Sequence, residues 1–180
     1  MSTALLLIDI QNDYFPGGKM ALEGSVEAGA RAGELLAAFR RAGRPVIHIQ
    51  HFSLYPGATF FLPATPGVEI HPCVAPQAGE PVIEKHFPNS FRETTLLATL
   101  REKGIDELLI AGMMTHMCVD ATVRAACDLG LRCRVASDAC ATRTLAFSGE
   151  PVPAAHVQGA FLAALQGMYA TVGTAAEVLP

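Results

Sequence analysis

The sequence predicts an open α/β fold built on a mostly parallel sheet. Three observations carry that expectation: short continuous apolar runs recur along the chain, helix-like stretches fall between them, and nothing repeats internally. A run that is apolar at every position, rather than at alternate ones, marks a strand buried on both faces, as a central parallel strand is. With 180 residues, 51% of them hydrophobic, the chain suits one compact domain over 1–180 with a full core.

The elements follow in order. "ALLLIDI" (4–10) is the first strand. Ser25 caps a helix running to about Arg41, and Gly43 ends it. "PVIHIQH" (45–51) is the second strand. Residues 52–80 carry five prolines and three glycines without periodicity, and so long a loop in a compact domain has a task, such as shaping a site. "PVIEK" (81–85) is the third strand and is followed by a helix over 93–103. "DELLIAG" (106–112) is the fourth, followed by a helix over 117–129, and "RCRVASD" (132–138) is the fifth. Residues 142–152 read as irregular. A helix over 153–168 leads to a last strand at 170–172. In such sheets ligands sit beyond the carboxyl ends of the strands.

Composition narrows the function. Charged residues make up 17% of the chain, the net charge is -4, and no basic stripe is visible, which argues against nucleic acid as a partner. Arg31, Arg40, Arg41 and Arg44 read as a solvated helix face and turn. No apolar run approaches the ~18 residues of a membrane span. The opening "MSTALLLIDIQND" lacks a basic segment and reaches a carboxylate at Asp9, so it reads as a strand rather than a signal peptide. Five cysteines, an odd number without CxxC spacing, suggest reduced thiols in a cytoplasm. Cys127 and Cys133 are expected in the core, and Cys140 at a pocket rim.

Three strand ends bear chemistry: Asp9 after the first strand, Lys85 at the end of the third, and Cys118 past the fourth at a helix N-terminus. Each has a bland reading alone, as a loop cap, a solvated charge or a core thiol. Together they form a coherent set. A thiol is a strong nucleophile only as thiolate. The helix N-terminus and Lys85 are both expected to lower its pKa. Asp9 is placed to take the thiol proton and later to activate water. Backbone N–H groups of the 114–118 turn offer an oxyanion hole. This is acyl transfer through a thioester, followed by hydrolysis.

The stretches "LLLIDIQNDYFPGG", "VIHIQH", "VIEKHFPNSFRETTL", "LLIAGMMTHMCVDATVRAACDLG" and "SDACAT" resemble the isochorismatase-like cysteine hydrolases, the superfamily of nicotinamidases and N-carbamoylsarcosine amidases, over nearly the whole chain. The resemblance implies a three-layer α/β/α sandwich, Rossmann-like, around a six-stranded sheet. It implies an Asp9–Lys85–Cys118 triad and a cis peptide at Met113–Met114 that turns the Met114 and Cys118 N–H groups toward one oxyanion. It further implies amidase chemistry on a small molecule without a cofactor, and a homodimer or homotetramer, for which the apolar 144–169 region offers an interface. Some relatives carry glycine at the nucleophile position and cleave a vinyl ether; Cys118 argues against that chemistry. Nicotinamidases hold a metal on an Asp-x-His pair after the second strand. Here His51 and Ser53 occupy those places and His71 stands alone, so no metal is expected.

The remaining candidates line the pocket: Gln11, Phe15, His51, Phe52, Tyr55, Phe87, Thr115 and His116, with Tyr14 and Asn89 nearby. The aromatic, apolar character of this set suggests a small neutral amide. His48 reads as a satisfied core histidine, and Asp120 with Arg124 as an i, i+4 pair. Two alternatives remain: a metal-dependent nicotinamidase, and a non-catalytic binding protein on the same fold.

Overall fold

A computed structural model describes residues 2–179 of the chain. Strand β1 (Thr3–Ile8) lies between β2 (Val46–His51) and β4 (Glu107–Met113). Outside β2 comes β3 (Val82–Lys85). Outside β4 come β5 (Arg132–Ala141) and β8 (Thr171–Gly173). The order β3-β2-β1-β4-β5-β8 is parallel throughout. The expected six-stranded sheet is therefore present.

The unbroken apolar strands have a direct cause. Leu5 and Leu7 point into one core, shared with Ala28, Leu35, Leu36 and Phe39 of helix α1 (Ser25–Arg41). Ala4, Leu6 and Ile8 point into the other. That second core is shared with Leu96 and Leu100 of α2 (Leu96–Glu102), Val123 and Ala126 of α3 (Asp120–Asp128), and Leu165 of α4 (Ala154–Leu165). With both faces covered, β1 has no position left for a polar side chain from Ala4 until Asp9. Helix α5 (Ala175–Val178) joins the first layer through Ala175 and Val178.

Several boundaries differ from expectation for physical reasons. Gly24, in a left-handed conformation (φ 74), takes the N-cap of α1, and Ser25 is its first helical residue. Helix α2 begins three residues late. Glu93 is left-handed (φ 57), and the Thr94 hydroxyl donates to the Ser90 carbonyl while accepting the Leu96 N–H, an arrangement that competes with the helix. Strand β5 runs past 138 because a register shift lets Cys140 and Ala141 pair with Gly112 and Met113. The 142–152 segment contains a hairpin, β6 (Leu145–Phe147) with β7 (Glu150–Val152), turning on Ser148–Gly149 with both φ positive. Arg40 is not a solvated charge: its guanidinium holds Glu80 bidentately at 2.7 Å, and Glu80 also meets His48 Nε2 at 3.0 Å. Asp120 and Arg124 pair as expected. No helix among the described residues is long and apolar enough to cross a membrane.

Candidate active site

Strands are added outward from β1 toward β3, and then on its other side from β4 to β8. The chain therefore reverses direction between β1 and β4, and a crevice opens at their carboxyl ends. Asp9 follows β1 in a left-handed conformation (φ 51) that turns its side chain out of the strand register. Beside it, Gly112 lets β4 pass close by: a Cβ there would lie 2.2 Å from the Ile8 carbonyl oxygen. After the cis Met113–Met114 peptide, a wide π-helical turn over Thr115–Val119 delivers Cys118 before α3 begins. Lys85 ends β3, in register with His51.

These ends converge on one buried ammonium. Lys85 Nζ lies 2.7 Å from Asp9 Oδ2, 2.8 Å from His51 Nδ1 and 3.2 Å from Cys118 Sγ. Asp9 is 0% exposed, Lys85 1% and Cys118 5%. The ammonium hydrogen-bonds His51 and Cys118 and forms an ion pair with Asp9, so all three groups are engaged by one charge. Because an ammonium has no lone pair, His51 Nδ1 must be the acceptor, and the ring's proton sits on Nε2. Burial lowers the His51 pKa to about 4 against the attraction of Asp9, with Lys85 and His86 pushing the same way as burial, so the ring is neutral. Burial also pulls Lys85 down, but Asp9 and Cys118 outweigh it and hold the ammonium above its ordinary value.

The thiol departs from expectation. Burial, and then the Asp9 carboxylate, push Cys118 well above the ordinary thiol range, and Lys85 offsets only part of this. At rest Cys118 is a protonated thiol beside a carboxylate. Lys85 acts where expected, but desolvation is the larger effect.

His51 is held from its main chain as well. The Gln11 carboxamide accepts from the His51 N–H (2.7 Å) and donates to the His51 carbonyl (3.0 Å) and the Val68 carbonyl (2.7 Å). Its neighbour Asp13 accepts from the Phe61 N–H (2.7 Å) and the Lys19 N–H (3.0 Å). These two side chains, with Asn12 on the Pro66 carbonyl, tie the long 52–80 loop to the end of β1. Over the triad lies a cavity of about 310 Å³. Its walls are Tyr14, Tyr55, Phe60, Phe87, Pro88, Met114 and Met117, and its polar lining is His51, Ser53, His86 and the Cys118 thiol.

Residues 3–177 match the isochorismatase domain model. The chain belongs to the isochorismatase family. It is 56% identical to the isochorismatase family protein YddQ of Bacillus subtilis over 174 residues, 97% of each chain. Among solved structures it is similar to an isochorismatase from Pseudomonas putida KT2440, with 40% identity, a TM-score of 0.91, and coverage of 97% of this chain and 89% of that one. It is also similar to an N-carbamoylsarcosine amidase from Thermoplasma acidophilum, with 26% identity, a TM-score of 0.83 and full coverage of both. The chain is a hydrolase of this family.

Of the expected pocket residues in this isochorismatase-family chain, His51, Tyr55 and Phe87 line the cavity, together with Tyr14 and the expected oxyanion-hole residues Met114 and Cys118. Others do not. Gln11 is spent on the His51 backbone, and Phe15 stacks on His71 (centroids 3.6 Å apart) beside a different hollow. Phe52 packs against the core, with its N–H on the Lys85 carbonyl. The Thr115 hydroxyl meets the Ala141 carbonyl and Gln158, and His116 meets the Thr142 hydroxyl. Ser53, Phe60, His86, Pro88 and Met117 line the cavity without having been singled out for it. Asn89 caps the Phe91 N–H. All five cysteines are unpaired. Cys133 and Cys140 are buried and Cys127 is half-buried, so Cys127 is not core and Cys140 is not at this rim.

Ligand atoms of Asp9, His51 and Cys118 lie within 4.8 Å of one another, the spacing of a metal site. The Lys85 ammonium already binds all three. A cation entering there would have to displace a buried positive charge, so these residues do not fit a metal.

Proposed function

We propose that this hydrolase cleaves the C–N bond of a small amide through a thioester on Cys118. The observation that carries the reading is the buried ammonium, which reaches a carboxylate at 2.7 Å and a thiol at 3.2 Å at once. As Sγ attacks the carbonyl carbon, its proton passes to Asp9. The negative charge leaves the carboxylate and passes by way of sulfur to the carbonyl oxygen; Lys85 faces it while it is on sulfur, with no movement needed. The Met114 and Cys118 N–H groups receive the oxyanion. Collapse breaks the C–N bond, and the Asp9 proton leaves with the amine. Water, deprotonated by Asp9, attacks the thioester. The acid departs, and Cys118 regains a proton. The net reaction is amide plus water to acid plus amine. A resting neutral thiol suits this scheme, because Asp9 removes the proton only as the new bond forms. The similarity to an amidase supports C–N cleavage.

A panel of small primary amides, followed by ammonia release, tests the reading. Turnover is expected with wild type and after exhaustive chelation, and none with Cys118→Ala. Turnover that survives Cys118→Ala, or that requires an added metal, would refute it.

A further inference from the structure

Of the polar groups of the cavity that the triad chemistry leaves unused, His86 is exposed and meets the Phe52 carbonyl, and two others stand out. Ser53 is 3% exposed and lines the cavity, yet its Oγ has no hydrogen-bond partner among the described residues. A buried hydroxyl left unpaired is unfavourable, and each such group calls for an explanation. The second group is His51 Nε2–H. Lys85 fixes the ring from the Nδ1 side, and Gln11 fixes the backbone. The proton-bearing edge of a neutral, doubly held imidazole therefore lies away from Lys85. His51 and Ser53 both line the cavity, while Phe52 between them packs into the core.

What the cavity lacks is equally specific. None of its lining residues is Asp, Glu, Lys or Arg. Lys85, the cation beneath it, is already engaged by Asp9, His51 and Cys118. A carboxylate placed here could accept from the same donors that serve a neutral group, but its full charge would be taken out of water toward the Asp9 charge behind the wall. A carboxamide, urea or carbonyl group carries no such charge: its oxygen accepts from His51 Nε2–H, and its oxygen or N–H meets the Ser53 hydroxyl, which both donates and accepts.

We propose that Ser53 and His51 form a neutral recognition site that reads an uncharged hydrogen-bonding group of the substrate and discriminates against carboxylates. The proposal rests on the thioester reading above, and its test separates the two.

Three aldehydes serve as probes: 3-formylbenzamide, its near-isostere 3-formylbenzoate, and benzaldehyde. Each takes up the Cys118 thiol as a thiohemiacetal, with the C–S bond forming and the thiol proton moving to oxygen. Inhibition of Cys118 alkylation gives their affinities. The benzamide should bind more than about tenfold tighter than the benzoate. In Ser53→Ala, its advantage over benzaldehyde should fall by about three- to tenfold. In His51→Asn, which keeps an acceptor toward Lys85 but lacks the Nε2–H, that advantage should fall likewise. Equal affinity for amide and carboxylate, or an unchanged ratio in both variants, overturns the proposal. Absence of any benzaldehyde adduct on Cys118 counts against the nucleophile instead. Calorimetry on Cys118→Ala with benzamide and benzoate then still reads the recognition site, and equal affinity, or none for either, overturns it.

Discussion

Removing the buried ammonium should be costly, and the cost should be recoverable. Lys85 and Asp9 are 1% and 0% exposed and 2.7 Å apart. Breaking a buried ion pair by deleting one partner costs about 3–5 kcal/mol, because the other charge is left desolvated and uncompensated. Lys85→Met keeps the length of the side chain but strands the Asp9 carboxylate. It also leaves His51 Nδ1 without its donor, which adds about 1 kcal/mol. The expected total is about 4–6 kcal/mol, a large share of the ~5–15 kcal/mol typical of a whole domain. Asp9→Asn alone should cost about 3–5 kcal/mol by the same argument. In Asp9→Asn/Lys85→Met neither charge remains, so the double variant should cost no more than the worse single one. That is a favourable coupling of about 3 kcal/mol, far outside the ~0.5 kcal/mol scatter of independent sites. Urea unfolding followed by circular dichroism measures all four proteins. Additive losses, or single losses below about 1 kcal/mol, would refute the claim that one ammonium organises the site.

Three further outcomes are expected. Gln11→Ala removes three hydrogen bonds around His51 and Val68 at about 1 kcal/mol each, so urea unfolding should show a loss of about 3 kcal/mol, with activity falling although Gln11 lies outside the cavity. His51 should titrate near pH 4 in the folded protein against an ordinary value of 6.5, read from its ring proton shifts by NMR. With the folded pKa depressed, the neutral ring's contribution is present above pH 6.5 and lost as pH falls toward 4, about 3 kcal/mol in all, and a midpoint near 6.5 would contradict a ring held neutral chiefly by its burial. We also expect a homodimer or homotetramer. Phe147 on the β6–β7 hairpin, which precedes α4 in the chain, is 78% exposed, so Phe147→Lys should shift sedimentation velocity toward the monomer, and a monomeric wild type would count against this face.

The six strands of the main sheet and the convergence of Asp9, Lys85 and Cys118 were legible because each follows from a local pattern. Both faces of β1 are covered, so its sequence is apolar until the chain leaves the sheet, and the first charge, Asp9, falls where the strand ends. Helix α5 was not read: Thr174 and Glu177 form a capping box at its start, but the helix is only four residues long. Other features depend on distant partners. Gln11 stands next to the triad in sequence, yet its amide is consumed by residues 40 and 57 positions away. Ser53 occupies a ligand position of a metal site that this chain does not build, and only the fold reveals that its hydroxyl is unpaired. The direction of the Cys118 shift depends on how deeply the thiol is buried, which the spacing of residues does not encode. The cations near a thiol can be read from a sequence, whereas its desolvation cannot.

The central claim is that Cys118 carries the acyl group and Asp9 activates it. Its most direct measurement is peptide-level mass spectrometry after rapid quenching of the protein with p-nitrophenyl acetate, an activated ester that acylates a competent nucleophile whatever the natural substrate. A single acetyl group on Cys118, absent in Cys118→Ser and strongly reduced in Asp9→Asn, is the predicted result. An acetyl group on Cys73 or Cys127 instead, or equal labelling of Cys118 with and without Asp9, would contradict it.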